Sequence, residues 1–213
     1  LSSNVNYPSV SGTSVPRDYV EFPSQLLEHW LSTPEILNKY ALHYQTGKPI
    51  PRELVAKIEA AEKFNEGFKT VEYLSSALVD MKLHLAGDQK IDADKFERDT
   101  LAALKMPSEI VMRHRTPQFN HVFSGDGYSA GYYSYLWSDT ITADAWEAFT
   151  EAGGAWDKDV GKRLKQLLSI GNTVDPAIAY RDFRGREPGI DALMRKRGFP
   201  VPAAKTAAPA ATK

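Results

Sequence analysis

Two short stretches concentrate the side chains that could do chemistry. In RDYVEFPSQLLEHW, Arg17, Asp18, Glu21 and Glu28 surround Tyr19, Val20, Phe22 and Leu26 at the mouth of a helix. A carboxylate there can ligate a metal, or it can be a helix-terminal charge facing the macrodipole. One acidic residue is not a metal site. His29, His43, His84, His114 and His121 are too scattered for two imidazoles to meet on one helical turn, and no H-x-x-x-H occurs, so local motifs do not compose a complete zinc site. In HVFSGDGYSAGYYSYLW, Gly125, Gly127 and Gly131 permit close backbone approach, while His121, Tyr128, Tyr132 and Tyr135 offer neutral hydrogen-bond donors. The spacing places Tyr128, Tyr132 and Tyr135 on one helical face. Such a stripe reads either as aromatic core or as a binding surface, because three phenols are costly to bury without partners.

Composition narrows the chemistry. With 213 residues, 42% of them hydrophobic, the chain can build a core. A formal charge of −1 from 26 basic and 27 acidic side chains gives no long-range field for nucleic acid or an anionic membrane, so neither is expected as a partner. Without cysteine, hydrolytic chemistry has to come from carboxylates, His, Tyr, hydroxyls or a metal. No apolar run approaches the roughly 20 residues that span a bilayer, and Leu1 opens without a signal-type n-region. The chain reads as an interior fragment of a soluble protein, cytoplasmic or periplasmic.

The elements that must position these residues are mostly helical. Residues 1–16, rich in Ser, Asn, Pro and Val, favour extended structure, a short β element near the start. Pro23 and Thr33-Pro34 carry start signals for two short helices, and Pro51 opens a long segment to about residue 85 with Leu54, Ile58, Ala61, Phe64 and Phe68 at helical spacing and a boundary near Gly67. A helix is expected over 93–104, an irregular stretch through MRHRTPQFNHVFSGDGY, an aromatic-rich helix from about residue 129, and further helices over 158–170, 176–183 and 190–196. The Ala/Pro-rich end, residues 200–213, predicts disorder.

YPSVSGTSVPRDYVEFPSQLLEHW, HYQTGKPIPREL, FNHVFSGDGYSAGYYSYLW and YRDFRGREPGIDALMRKRG, in collinear order up to about Phe199, together resemble the C-terminal part of the thimet oligopeptidase family of zinc metallopeptidases. Within it the bacterial peptidyl-dipeptidases (dipeptidyl carboxypeptidases) look closest. The resemblance implies a mostly α, channel-type zincin, with residues 1–199 as a C-terminal catalytic-domain fragment. Glu21 in RDYVE matches the family's third zinc ligand, completing a His2Glu site in which the metal activates water. The two His, and the Glu between them that acts as general base, belong to an HExxH helix expected just upstream of Leu1. That N-terminal part is the implied partner, and the chain alone is expected to be inactive.

His121, Tyr128 and Tyr135 match the family's residues around the scissile carbonyl, donors that strengthen as the oxyanion develops. Tyr132 is a weaker match on the same face. The loop FSGDG is slightly longer than the family's and carries Asp126. Releasing dipeptides from a free C-terminus requires a donor for the terminal carboxylate, for which Arg113 and Arg115 are candidates; a solvated basic turn is the other reading. Glu28 would orient a zinc-ligating imidazole, or be a surface charge. The implied substrates are oligopeptides. The alternative function is a stand-alone helical domain that binds peptides through its tyrosine face without cleaving them.

Overall fold

The computed structural model describes residues 2–201. Ten α-helices occur among them: α1 (Phe22–Glu28), α2 (Pro34–Tyr40), α3 (Arg52–Glu62), α4 (Glu66–Leu85), α5 (Ala93–Ala103), α6 (Asn120–Phe123), α7 (Ser134–Glu151), α8 (Lys158–Ser169), α9 (Pro176–Arg184) and α10 (Asp191–Arg197). The mostly α expectation holds. Caps explain several boundaries: Asp92, Asp157 and Asp175 accept backbone N–H groups of the helices they precede, and Gly185 and Gly198 end α9 and α10 in the left-handed conformation. No described helix is long and apolar enough to cross a membrane.

The short β element expected near the start is not formed. Residues 2–16 contain a three-residue 3-10 turn, Pro8–Val10, and the pairing present among the described residues is a single antiparallel bridge between Leu42 and Pro49. The backbone groups a strand would use are taken by the turn after α8: Asn4 N donates to Ser169 O at 2.7 Å and Asn172 N to Val10 O at 2.9 Å. Gly171 makes that approach possible, since it has a φ of +56° and any Cβ there would lie 2.2 Å from Val10 O. The long segment from Pro51 is also divided earlier than expected, at Asn65, which adopts φ 54°, rather than at Gly67. The disorder expected for 200–213 falls, from residue 202 onward, outside the described residues.

Helix α7 is the centre of the molecule. Ile141, Ala145, Ala148 and Phe149 face a core shared with Phe22 and Leu26 of α1, Val160, Leu164 and Leu167 of α8, and Ala179, Tyr180 and Phe183 of α9. Ala143 turns the other way, onto Ala192 and Leu193 of α10. Ser134, Ser138 and Thr142, spaced i, i+4, i+8, are small enough to admit α1 closely; Ser138 Oγ donates to Asp18 O at 2.7 Å. Phe22 and Leu26 are fully buried, and each contributes about 1.5–3 kcal/mol of transfer free energy. A second core joins Val79 of α4 to Met112, Phe119 and Val122, with Phe96 and Tyr132 packed against it. The residues that could do chemistry lie where these two cores meet.

Candidate functional site

The tyrosines converge by a route the helical spacing does not give. Helix α7 starts only at Ser134, because Ala130 sits at φ 54° and Gly131 packs its backbone within 3.2 Å of Tyr128 O. Tyr128 ends a 3-10 turn, Tyr132 lies in the connection and Tyr135 is in the first turn of α7, so they do not share a helical face. They share His121 instead. Its ring lies 5.2 Å from that of Tyr128, 5.5 Å from Tyr132 and 5.8 Å from Tyr135, centroid to centroid. The Tyr135 hydroxyl and His121 Nε2 are in hydrogen-bonding contact at 3.3 Å. His121, Tyr132 and Tyr135, with His114, Gln118, Phe119 and Asn120, line a cleft of about 370 Å³.

Helix α4 holds this loop from beneath. Asp80, 1% exposed, accepts the backbone N–H of Ala130 at 3.1 Å and of Tyr132 at 3.0 Å, and pairs with His84 Nδ1 at 2.8 Å. A buried carboxylate is tolerable only with such partners. Tyr73, two turns earlier, donates its hydroxyl to Tyr132 O and accepts the Leu136 N–H at 3.2 Å, stacking on the Tyr132 ring 5.4 Å away. A second buried carboxylate, Glu97 of α5, fixes the approach to His121 by accepting the Thr116 N–H at 2.8 Å and hydroxyl at 2.9 Å. The sequence reading passed over Tyr73, Asp80 and Glu97. For Asp80 a signal exists: a carboxylate and an imidazole, Asp80 and His84, sit at i, i+4 on an otherwise apolar helical face.

Glu21 occupies the N-cap of α1, half-buried, with one carboxylate oxygen accepting the Ser24 hydroxyl at 3.2 Å. Gln25, one turn on, ties α1 to the site by donating to Tyr135 O at 3.1 Å. Burial first, then the nearby Glu21 charge and the neighbouring phenols Tyr132 and Tyr128, push the Tyr135 pKa above its usual value, with Arg17 opposing. Burial likewise raises Tyr132, and Arg113 opposes it. Both phenols therefore remain proton donors at neutral pH.

Three other expected residues stand apart from one another. Arg113 is exposed beside Tyr132. Arg115 is engaged, its guanidinium paired with Glu97 and, at 3.2 Å, with Asp94. Glu28 is exposed at the end of α1, on a separate cleft with Gln25, His29 and Lys196. Arg17, given no role by the sequence, reaches the site: its Cζ lies 4.4 Å from the Tyr128 ring centroid. Among the described residues no group of three or more His, Cys, Asp or Glu side chains is placed to hold a metal ion.

Comparison with known proteins matches residues 1–199 to the model of peptidase family M3. The chain is 40% identical over 205 residues to the dipeptidyl carboxypeptidase of Escherichia coli (strain K12), covering 94% of this chain and 30% of that protein. It is 39% identical over 198 residues to the dipeptidyl carboxypeptidase of Salmonella typhimurium, covering 91% and 29%. It is 38% identical over 205 residues to oligopeptidase A of Escherichia coli (strain K12), covering 93% and 30%. The chain thus spans about 30% of the length of these curated relatives.

Proposed function

The chain belongs to peptidase family M3, and on that premise we propose that it forms the substrate-facing side of a zinc metallopeptidase that hydrolyses oligopeptides, releasing dipeptides from their C-terminal end. The observation that carries this reading is the convergence of Tyr128, Tyr132 and Tyr135 on His121 beside Glu21. Relatives named dipeptidyl carboxypeptidase support the dipeptide-releasing form of the activity over internal cleavage.

A peptide carbonyl under attack gathers negative charge on oxygen. Donors already fixed toward that position stabilise it without reorganising. Tyr135 fits this role: its phenol is kept protonated by burial and by Glu21, and its hydroxyl is oriented by contact with His121. Tyr128, from the other side of the imidazole, is the second donor on this reading, while Tyr132, held at its backbone by Asp80 and Tyr73, walls the cleft.

Glu21 has the chemistry of a metal ligand. Its carboxylate forms no ion pair among the described residues and accepts one weak hydroxyl bond, so lone pairs remain to ligate. It would be the carboxylate of a His2Glu set, the imidazoles and the general-base glutamate coming from an HExxH helix that the sequence of this chain does not contain. Zinc, when bound, supplies Lewis-acid polarisation of the carbonyl and a water of lowered pKa. On this reading the chain by itself does not hydrolyse peptides.

The test uses the full-length protein. Tyr135→Phe is expected to lower kcat on the order of 100-fold with zinc content unchanged, and Glu21→Ala to lose the metal. Unaltered turnover in the first variant removes Tyr135 from the mechanism, and stoichiometric zinc in the second rejects Glu21 as a ligand. Tight peptide binding without cleavage by the zinc-loaded protein would favour the binding-domain alternative.

A further inference from the structure

Arg17 is a half-buried cation in the wall of the cleft that no carboxylate of the described chain neutralises. Six other arginines are ion-paired: Arg115, Arg181, Arg184, Arg186, Arg195 and Arg197. The acids nearest Arg17 in sequence are turned elsewhere, Asp18 accepting the Tyr133 hydroxyl at 3.3 Å and Glu21 the Ser24 hydroxyl. The guanidinium instead lies over Tyr128, and the loop is shaped around it. Gly127 does not need its glycine for a positive φ; a Cβ there would come within 2.9 Å of Arg17 Nη2, and one on Gly131 within 3.6 Å of Arg17 Cγ. The two glycines leave room for this side chain and keep one edge of its fork uncovered.

We propose that Arg17 is the specificity-determining residue that grips the free carboxylate at the C-terminus of the peptide. The proposal rests on the peptidase reading above. A planar guanidinium stacked on an aromatic ring has its plane fixed while its N–H edge remains available for a two-pronged bond to a carboxylate. Distance agrees. The Arg17 Cζ is 4.4 Å from the Tyr128 centroid, itself 5.2 Å from the His121 centroid, so cation and imidazole are no more than about 10 Å apart. Two extended residues reach about 7 Å, and a carboxylate–guanidinium contact fills the remainder. A dipeptide beyond the carbonyl under attack would bring its terminus to Arg17. An internal peptide segment presents an uncharged amide there and leaves the cation unpaired, which the site penalises.

The experiment compares, in the full-length zinc-loaded protein, an N-acetylated tetrapeptide with a free C-terminal carboxylate and the same peptide as its C-terminal amide. The wild type is expected to favour the acid. Arg17→Gln should lower kcat/KM for the acid on the order of 100-fold while changing the amide about twofold or less, so that the preference collapses. Arg17→Lys should restore part of it, since a point charge attracts the carboxylate without matching its fork. A second arm needs no turnover: calorimetric binding of a free dipeptide and of its amide, where Arg17→Gln should abolish the advantage of the acid. An acid preference that survives Arg17→Gln overturns the assignment, as does an equal loss for both peptides or a wild type with no preference. Failure of the wild type to cut either tetrapeptide overturns the peptidase reading instead, and the dipeptide arm then still decides whether Arg17 holds a carboxylate.

Discussion

Helices α7 and α3 have comparable claims to a buried face on sequence, and opposite fates. Half of α7 is buried, on every side: Ile141, Ala145 and Phe149 toward α1, α8 and α9, Ala143 toward α10, and Ser134, Ser138 and Thr142 along α1. Of α3 nothing is buried, although Leu54 and Ile58 recur one turn apart; both are about half exposed, as is Phe68 of α4. Hydrophobic periodicity therefore states that a helix has a face, and the opposing surface decides whether that face is met. The site is built on the first kind of helix. Tyr135 projects from α7 and Glu21 caps the helix packed on it, so the groups assigned to chemistry rest on a region that closes its own core.

That contrast can be broken at either end. Phe22→Ala should give the largest loss of stability, about 3–5 kcal/mol, because its fully buried ring stacks on Tyr19 at 5.1 Å and meets Tyr180 edge-on at 6.2 Å. Urea unfolding of the full-length protein measures it, and a loss below about 1 kcal/mol would show that α1 is not held by this core. A smaller, pH-dependent effect belongs to His29, which stacks on Trp146 at 4.8 Å. Burial, then Lys196, push its pKa down from 6.5 to about 4, with Asp139 opposing. The native imidazole is thus neutral where the unfolded one charges. The unfolded state binds more protons between pH 6.5 and about 4, and stability falls with pH across that window. His29→Gln should flatten the fall, as read from Tm against pH; an unaltered acid limb would place the cause elsewhere. The smallest effect is expected on α3, where Leu54→Ser should change stability by about 0.5 kcal/mol or less. A loss several times larger in the full-length protein would show that protein outside the described residues covers this face.

The helices themselves were largely legible. Pro at first turns, Asp at three N-caps and Gly at two C-termini are local signals, and they placed most boundaries within a residue or two. The site was legible as a set of residues but not as a geometry. Helical spacing put Tyr128, Tyr132 and Tyr135 on one face; the chain reaches the same convergence through a left-handed Ala130 and a loop pinned by Asp80, 52 residues before Tyr132 in sequence. The β element failed for a related reason, since the partner for residues 4 and 10 is the turn after α8, more than 160 residues on. No window along the sequence carries those partners. Arg17 shows the limit most directly, because its place beside Tyr128 depends on the absence of a side chain at Gly127, 110 positions later.

The grip of Asp80 and Tyr73 on the loop has a kinetic consequence. A loop that had to freeze around each incoming peptide would spend part of the binding energy on its own ordering, at about 1–2 kcal/mol per backbone residue. Here Ala130, Tyr132 and Leu136 are bonded to α4 through groups that touch no substrate. The entropy of that segment is surrendered when the protein folds, once, rather than at every encounter with a peptide.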